Sequence, residues 1–274
     1  MDKLIVVKIG GNIIDDEAKL SSFLQSFALV EGKRILVHGG GKLATRIAEA
    51  MGVQQQMIDG RRITDAETLK IVTMVYAGFI NKNIVAQLQS LGCNAMGLSG
   101  ADGNSIKAHK RSEGKASPPI GGGSLEGAVD YGFVGDIDEV NAELLHTLLQ
   151  FNDAIVLAPI THDGNGQLLN TNADTIAQET AKAMSELYEV ELIYSFEKAG
   201  VLLDVNDETS VINSINSSSY QQLKTEQKIF AGMLPKLDNA FAAIHSGVNK
   251  VIIGKAEELQ QLIDGTKGTA IVNE

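Results

Sequence analysis

Apolar positions along the chain fall into two alternating periods. Leu4-Ile5-Val6-Val7-Lys8-Ile9 is a short apolar run interrupted only by Lys8; it ends at Gly10-Gly11 and is followed by Leu20, Phe23, Leu24 and Phe27 at helical spacing. Such a run reads as a strand buried on both faces, and such a stripe as one side of a helix. The pattern then repeats: Arg34-Ile35-Leu36-Val37, a turn at His38-Gly39-Gly40-Gly41, and a helical face of Leu43, Ile47, Ala50 and Met51. Two successive strand-turn-helix units predict parallel strands in one sheet, with both glycine turns at the strands' carboxyl edge. Open α/β sheets bind ligands at that edge.

Thr64-Asp65-Ala66-Glu67 has the form of a capping box in which Thr64 and Glu67 satisfy each other's backbone donors. It predicts a long helix with an apolar stripe of Leu69, Val72, Val75, Tyr76, Phe79, Ile80, Ile84 and Leu88, stopped at Gly92. A stripe of that length faces its own core or forms a dimer seam. Residues 112 to 135, with Pro118-Pro119 and Gly121-Gly122-Gly123, read as a hairpin or mobile loop. Later strands are expected at Ala154-Ile155-Val156-Leu157-Ala158, Leu192-Ile193-Tyr194, Val251-Ile252-Ile253 and Ala270-Ile271-Val272, with helices between them. This alternation predicts an α/β sandwich around a mainly parallel sheet.

Composition narrows the class. The 274 residues, 44% hydrophobic and 21% charged, suit a folded globular protein of one elaborate domain or two joined lobes. No apolar run approaches the roughly 18 residues of a membrane span. The net charge of -11 argues against non-specific binding to nucleic acid or anionic membrane. Any anionic ligand must therefore meet locally gathered cations. The single Cys93 can form neither an internal disulfide nor a cysteine metal cluster, which fits a reducing cytoplasm.

Those cations stand beside glycines. Gly39-Gly40-Gly41-Lys42 fails as a P-loop, which requires glycine at Leu36 and Ser or Thr at Leu43. As a dinucleotide fingerprint it fits in part: Gly39, Gly41 and Ala44 have the spacing, and Asp59 follows about 20 residues on. It reads as an anion cradle or as a structural turn. Lys8 shares a strand face with Leu4 and Val6, so its ammonium needs a carboxylate, a phosphate or a route to solvent. Gly232-Met233-Leu234-Pro235-Lys236 opens a helical pattern with Lys236 in the first turn, where the helix dipole disfavours a cation unless an anion is present. Asn170-Thr171-Asn172-Ala173-Asp174 offers ordinary N-caps, and Gly60-Arg61-Arg62-Ile63-Thr64 a guanidinium suited to a carboxylate or a surface ion pair. The five histidines show no metal-ligand spacing, and Gly97-Leu98-Ser99-Gly100-Ala101 lacks the last glycine of a nucleophile elbow.

Taken in order, Val7-Lys8-Ile9-Gly10-Gly11, Val37-His38-Gly39-Gly40-Gly41, Gly60 to Thr64, Asn170 to Asp174 and Gly232 to Lys236 resemble the amino acid kinase family. The resemblance is to its branch acting on the side-chain carboxylate of N-acetylated glutamate in arginine synthesis, rather than to aspartokinase, glutamate 5-kinase or uridylate kinase. It implies a three-layer αβα sandwich spanning residues 1–274 as one domain, with an acylglutamate lobe over 1–170 and an ATP lobe over 171–274. Gly40, Gly41, Arg62 and Asn170 would bind the amino-acid substrate, and Gly10 and Gly11 the ATP phosphates. Lys8 and Lys236 would also bind ATP and stabilise the transferring phosphoryl group, Asp174 would orient both lysines, and Mg²⁺ would arrive with ATP without a protein metal site. The family's Ser/Thr-Asp-x-x-Gly after the strand opening the ATP lobe is replaced by Tyr194-Ser195-Phe196-Glu197-Lys198-Ala199-Gly200, so no contact is carried over there. Arginine-inhibited members have an additional N-terminal helix, whereas the first strand here begins near Leu4; a homodimer insensitive to arginine is expected. The acyl group, acetyl or succinyl, stays open. Competing readings are a nucleotide-dependent oxidoreductase and a non-catalytic ligand-binding regulator.

Overall fold

The structure, a computed structural model, describes residues 1–58, 61–112, 114–115, 128–204, 206–226, 228–229 and 233–273. Asp59, Gly60, Pro118-Pro119, Gly121-Gly122-Gly123 and Gly232 lie outside the described residues.

Eight strands form the main sheet: β1 (Lys3–Ile9), β2 (Lys33–His38), β3 (Ala95–Leu98), β4 (Ala154–Leu157), β5 (Glu189–Phe196), β6 (Ser214–Ile215), β7 (Lys250–Lys255) and β8 (Thr269–Ile271). Their order is β6-β8-β7-β5-β1-β2-β4-β3, and every neighbouring pair is parallel except β7 with β8. Because β1 pairs with both β2 and β5, one continuous sheet crosses residue 170.

The two faces of β1 divide the core. Ile5, Val7 and Ile9 pack with Phe23, Leu24, Phe27, Ile84 and Leu88, whereas Leu4 and Val6 pack with Leu145, Ile176, Ala177 and Leu237. The first side is covered by α1 (Gly11–Ile14), α2 (Glu17–Ala28), α3 (Gly41–Ala50), α4 (Ala66–Thr73) and α5 (Asn81–Ser90). The other carries α6 (Ala142–Phe151), α7 (Ala173–Met184), α8 (Ser217–Thr225) and α9 (Leu234–His245), while the short α10 (Leu259–Ile263) returns to the first side. This is a three-layer αβα sandwich.

Local chemistry sets the helix ends. Asp16 caps α2 by accepting from the Ala18 and Lys19 amides, which breaks the first helical stretch into α1 and α2. At α4 the cap is Asp65, accepting from Thr68 N at 2.7 Å, not the expected Thr64–Glu67 box. Thr64 is fully buried and bonded elsewhere. Gly92, at φ +77°, ends α5 as expected.

Two stripes differ from their sequence pattern. Between α4 and α5, Met74–Ile80 is a π-helical stretch that resets the phase, so Phe79 is 62% exposed while Tyr76 and Ile80 turn inward. In α3 the fully buried residues are Ala44 and Ala48; Leu43 and Ile47 pack partly buried against the same core, and Met51, just past the end of the helix, is exposed. A second sheet of Leu168–Asn170, Ile160–His162, Ile106–Lys110 and Gly135–Val140 stands beside the main one. Within the 112–135 region, Gly114–Lys115 pairs antiparallel with Ala128–Val129, and residues 116–127 between them lie outside the described residues.

Candidate active site

Ile9 and His38 end adjacent parallel strands, and Gly39 N–H donates to the Ile9 carbonyl at 3.1 Å. This bond draws the two glycine turns together at one edge. The second turn is held from below. His38 is fully buried; its Nδ1 lies 2.8 Å from the Gly39 carbonyl, and Asn81 Nδ2 faces its Nε2 at 3.4 Å. That network assigns the proton to Nδ1 and leaves Nε2 as acceptor. Burial pushes the His38 pKa down to about 4, so the ring is neutral at pH 7. Gly40 has φ +145°, and a Cβ there would come within 2.3 Å of Ile80 Cδ1 and 3.3 Å of the Tyr76 ring. Only glycine fits that turn.

Arg62, 7% exposed, reaches across to this loop. Its Nη2 donates to the Gly41 carbonyl and to Thr45 Oγ1, each at 2.9 Å, and Nη1 donates to Gln55 Oε1. Asn170 joins from the second sheet, donating through Nδ2 to Thr64 Oγ1 at 3.0 Å. Gly40, Gly41, Arg62 and Asn170 thus line one cavity of about 220 Å³, together with Tyr76 and Arg111. All four expected acceptor-site residues are brought together.

Lys8, Gly10 and Gly11 line a larger cavity of about 1050 Å³ with Lys42, Ser195, Phe196, Glu197 and Lys198. Gly41 lines both cavities, which therefore meet at the glycine turns. Lys8 Nζ lies 2.7 Å from Asp174 Oδ1. Asp174 is not the cap of α7; Asn172 is, accepting from the Asp174 and Thr175 amides, which leaves the carboxylate to the lysine. Burial, with Asp174 and Glu179 adding to it, raises the pKa of neighbouring Tyr194 far above the usual phenol range.

Lys236 comes from the first turn of α9, as its sequence position implies. It borders a small pocket of about 20 Å³ with Asp174, Tyr194 and Phe196, and Phe196 is shared with the large cavity. Asp174 makes its ion pair with Lys8, whereas the Lys236 ammonium rests over the Phe196 ring. Burial pushes the Lys236 pKa down; Asp174 opposes that shift and Lys8 adds to it.

Several wall residues were not read from the sequence. Lys42 Nζ donates to Asn12 Oδ1 at 2.5 Å, tying the two glycine turns; their places beside the two glycine clusters were the available signal. Asn81, Thr45 and Tyr76 act through long-range contacts that leave no local pattern. Among the described residues, no group of three or more His, Cys, Asp or Glu side chains is placed to hold a metal ion.

An αβα sheet whose carboxyl edge joins two glycine turns to lysines suits a phosphate-handling enzyme, and the profile of the amino acid kinase family matches residues 3–255. The chain belongs to the amino acid kinase family. Acetylglutamate kinase of Cytophaga hutchinsonii is 53% identical over 274 residues, covering 99% of both chains. Acetylglutamate kinase of Bacteroides fragilis is 52% identical over 94% of each, and that of Methanopyrus kandleri 37% identical over 97% of this chain and 99% of its own. Among solved structures, N-acetylglutamate synthase from Neisseria gonorrhoeae, complexed with coenzyme A and N-acetyl-glutamate, has a TM-score of 0.78 at 20% identity, covering 100% of this chain and 60% of that one. Carbamate kinase from Giardia lamblia bound to AMP-PNP has a TM-score of 0.71 at 15% identity, covering 100% and 99%. These likenesses share the fold.

Proposed function

We propose that this protein transfers the γ-phosphoryl group of ATP to the side-chain carboxylate of N-acetyl-L-glutamate, giving N-acetyl-L-glutamyl 5-phosphate and ADP in arginine biosynthesis. The observation that carries this reading is the junction at Gly41 of a nucleotide-sized cavity and a small cavity walled by arginine and asparagine, with Lys8 beside it. The curated relatives, similar over the whole chain, support the same acceptor. The amino acid kinase match over residues 3–255 and the kinase relatives along the chain's length weigh against an oxidoreductase.

The acceptor carboxylate is already ionised at pH 7, so no general base is needed. Catalysis reduces to alignment and to neutralising charge on the transferring group. Arg62 holds the acylglutamate by one carboxylate, Asn170 and the Gly40 and Gly41 backbone orient it, and its side-chain carboxylate faces the glycine junction. Gly10 and Gly11 amides receive the phosphates. Lys8, fixed by Asp174, and Lys236 supply positive charge where negative charge spreads over the phosphoryl oxygens. Mg²⁺ favours oxygen donors and keeps several waters. The large cavity carries Glu197, Glu257 and Glu258, and Glu258 Oε2 is buried with no hydrogen-bond partner among the described residues, so the wall suits an ion carried in by ATP. That ion would screen phosphate charge.

The protein works as a cytoplasmic homodimer in this proposal. A cytoplasmic setting suits the single buried, free Cys93, and the exposed Met74 and Phe79 on the long helix give a dimer seam apolar surface. ADP release measured with N-acetylglutamate, N-succinylglutamate and free glutamate tests the acceptor. Turnover highest on the acetyl compound is expected; preference for the succinyl compound moves the reaction to that acyl group, and turnover on neither removes the proposal.

A further inference from the structure

The segment in which the family's aspartate is missing ends β5 at Phe196, at the carboxyl edge of the sheet. The Phe196 ring lines both the large cavity and the small pocket beside Asp174. Lys236 Nζ sits 3.2 Å from the centre of that ring. Among the described residues Lys236 has no ion-pair partner, and the carboxylate nearest in function, Asp174, is engaged by Lys8 at 2.7 Å.

This arrangement treats the two lysines differently. Lys8 is neutralised by a carboxylate. Lys236 is half-buried; that burial and the charge on Lys8 work against its ammonium, while Asp174, already paired with Lys8, and Glu197 favour it without an ion pair of their own. A direct contact that favours the charged form without cancelling it adds to them. An aromatic face does so, because its quadrupole attracts a cation within about 6 Å while adding no negative charge. A carboxylate in the same place would bind the ammonium more firmly but would repel the incoming phosphates and compete with them for the lysine.

We propose that Phe196 is a positioning residue for phosphoryl transfer: its ring seats the Lys236 ammonium beside Lys8 and keeps its full charge available to the transferring phosphoryl group. The proposal rests on the kinase reading of the site. It also assigns a use to a segment that departs from the family's pattern: the end of β5 supplies an apolar seat for a cation. The charged and titratable groups facing that seat are Lys8 from β1, Asp174 from α7, and Tyr194 and Glu197 at the end of β5.

The test compares Phe196→Leu and Phe196→Trp with the wild type and with Lys236→Met. Steady-state ADP release is followed across pH with ATP and N-acetylglutamate, and the Lys236 ammonium is titrated directly by NMR after ¹³C-methylation of the lysines. Phe196→Leu should lower kcat about five- to tenfold with the KM for N-acetylglutamate unchanged, as expected for a lost cation–π contact of roughly 1 kcal/mol. It should also move the alkaline limb of kcat, and the NMR titration, to lower pH. Phe196→Trp, which keeps a π face, should restore both. In a Lys236→Met background, Phe196→Leu should cost nothing more. Equal effects of Leu and Trp, an unmoved titration, or additive losses in the double variant would overturn the proposal. A wild type that releases no ADP defeats the kinase reading, while the NMR titration still decides whether Phe196 seats the ammonium.

Discussion

Asp174 Oδ1 lies 2.7 Å from Lys8 Nζ, and the adjacent Asn172 performs the capping that Asp174 would otherwise provide. Cap and counter-ion are therefore separate residues on one turn. Asp174→Asn should leave α7 formed and shift Tm by less than about 4 °C, because the partly exposed pair contributes under about 1 kcal/mol to stability. The same change should lower kcat about 10²-fold by releasing Lys8 from its orientation. Thermal melts beside steady-state rates check this; unaltered turnover would remove Asp174 from the mechanism.

Gly40→Ala should damage the acceptor site selectively. Its φ of +145° is a conformation that side-chain-bearing residues rarely adopt, and the new methyl would meet Ile80 Cδ1 at 2.3 Å. Such overpacking costs about 1–3 kcal/mol. Calorimetric titration should show N-acetylglutamate binding lost and nucleotide binding retained, since Gly40 lines only the smaller of these two cavities.

Arg62→Ala should raise the KM for N-acetylglutamate by about 10–100-fold, the scale of a charge-assisted contact of roughly 1.5–3 kcal/mol. The guanidinium also holds the Gly41 carbonyl, so a smaller loss in kcat should accompany it. A change confined to the KM for ATP would contradict the assignment.

Acid should weaken the fold through His38. Its native pKa of about 4 lies below the ordinary 6.5, so between those values the unfolded chain binds more protons and stability falls as pH falls. The loss should approach about 3 kcal/mol at pH 4 and level off below it. Urea midpoints from pH 7 to 4, compared with His38→Asn, isolate this contribution: the acid slope of the variant should be shallower.

Much of this organisation was legible in the chain. Continuous apolar runs ending at Gly10-Gly11 and Gly39-Gly40-Gly41 located β1, β2 and the binding edge, because buried parallel strands leave that pattern. The family's ordered motifs located the four residues of the smaller cavity. Other features escaped for physical reasons. Ala95–Leu98 is short and carries Gly97, so it has no strand signature, and the second sheet contains strands of three residues with polar members. Thr64 and Asp65 are both cap-forming residues, and only burial decides between them. The π-helical stretch over Met74–Ile80 changes which side of the helix faces inward without altering its composition. The seat of Lys236 on Phe196 joins residues from β5 and α9, a pairing that no local spacing encodes.

The most direct measurement is trapping of the reaction product with hydroxylamine, which converts an acyl phosphate to a hydroxamate and phosphate. With ATP, Mg²⁺ and N-acetylglutamate, the wild type should form hydroxamate in step with ADP, and Lys8→Ala should form it about 10²–10³-fold more slowly. ADP release without hydroxamate, or hydroxamate formed at an unchanged rate by Lys8→Ala, would contradict carboxylate phosphorylation at this site.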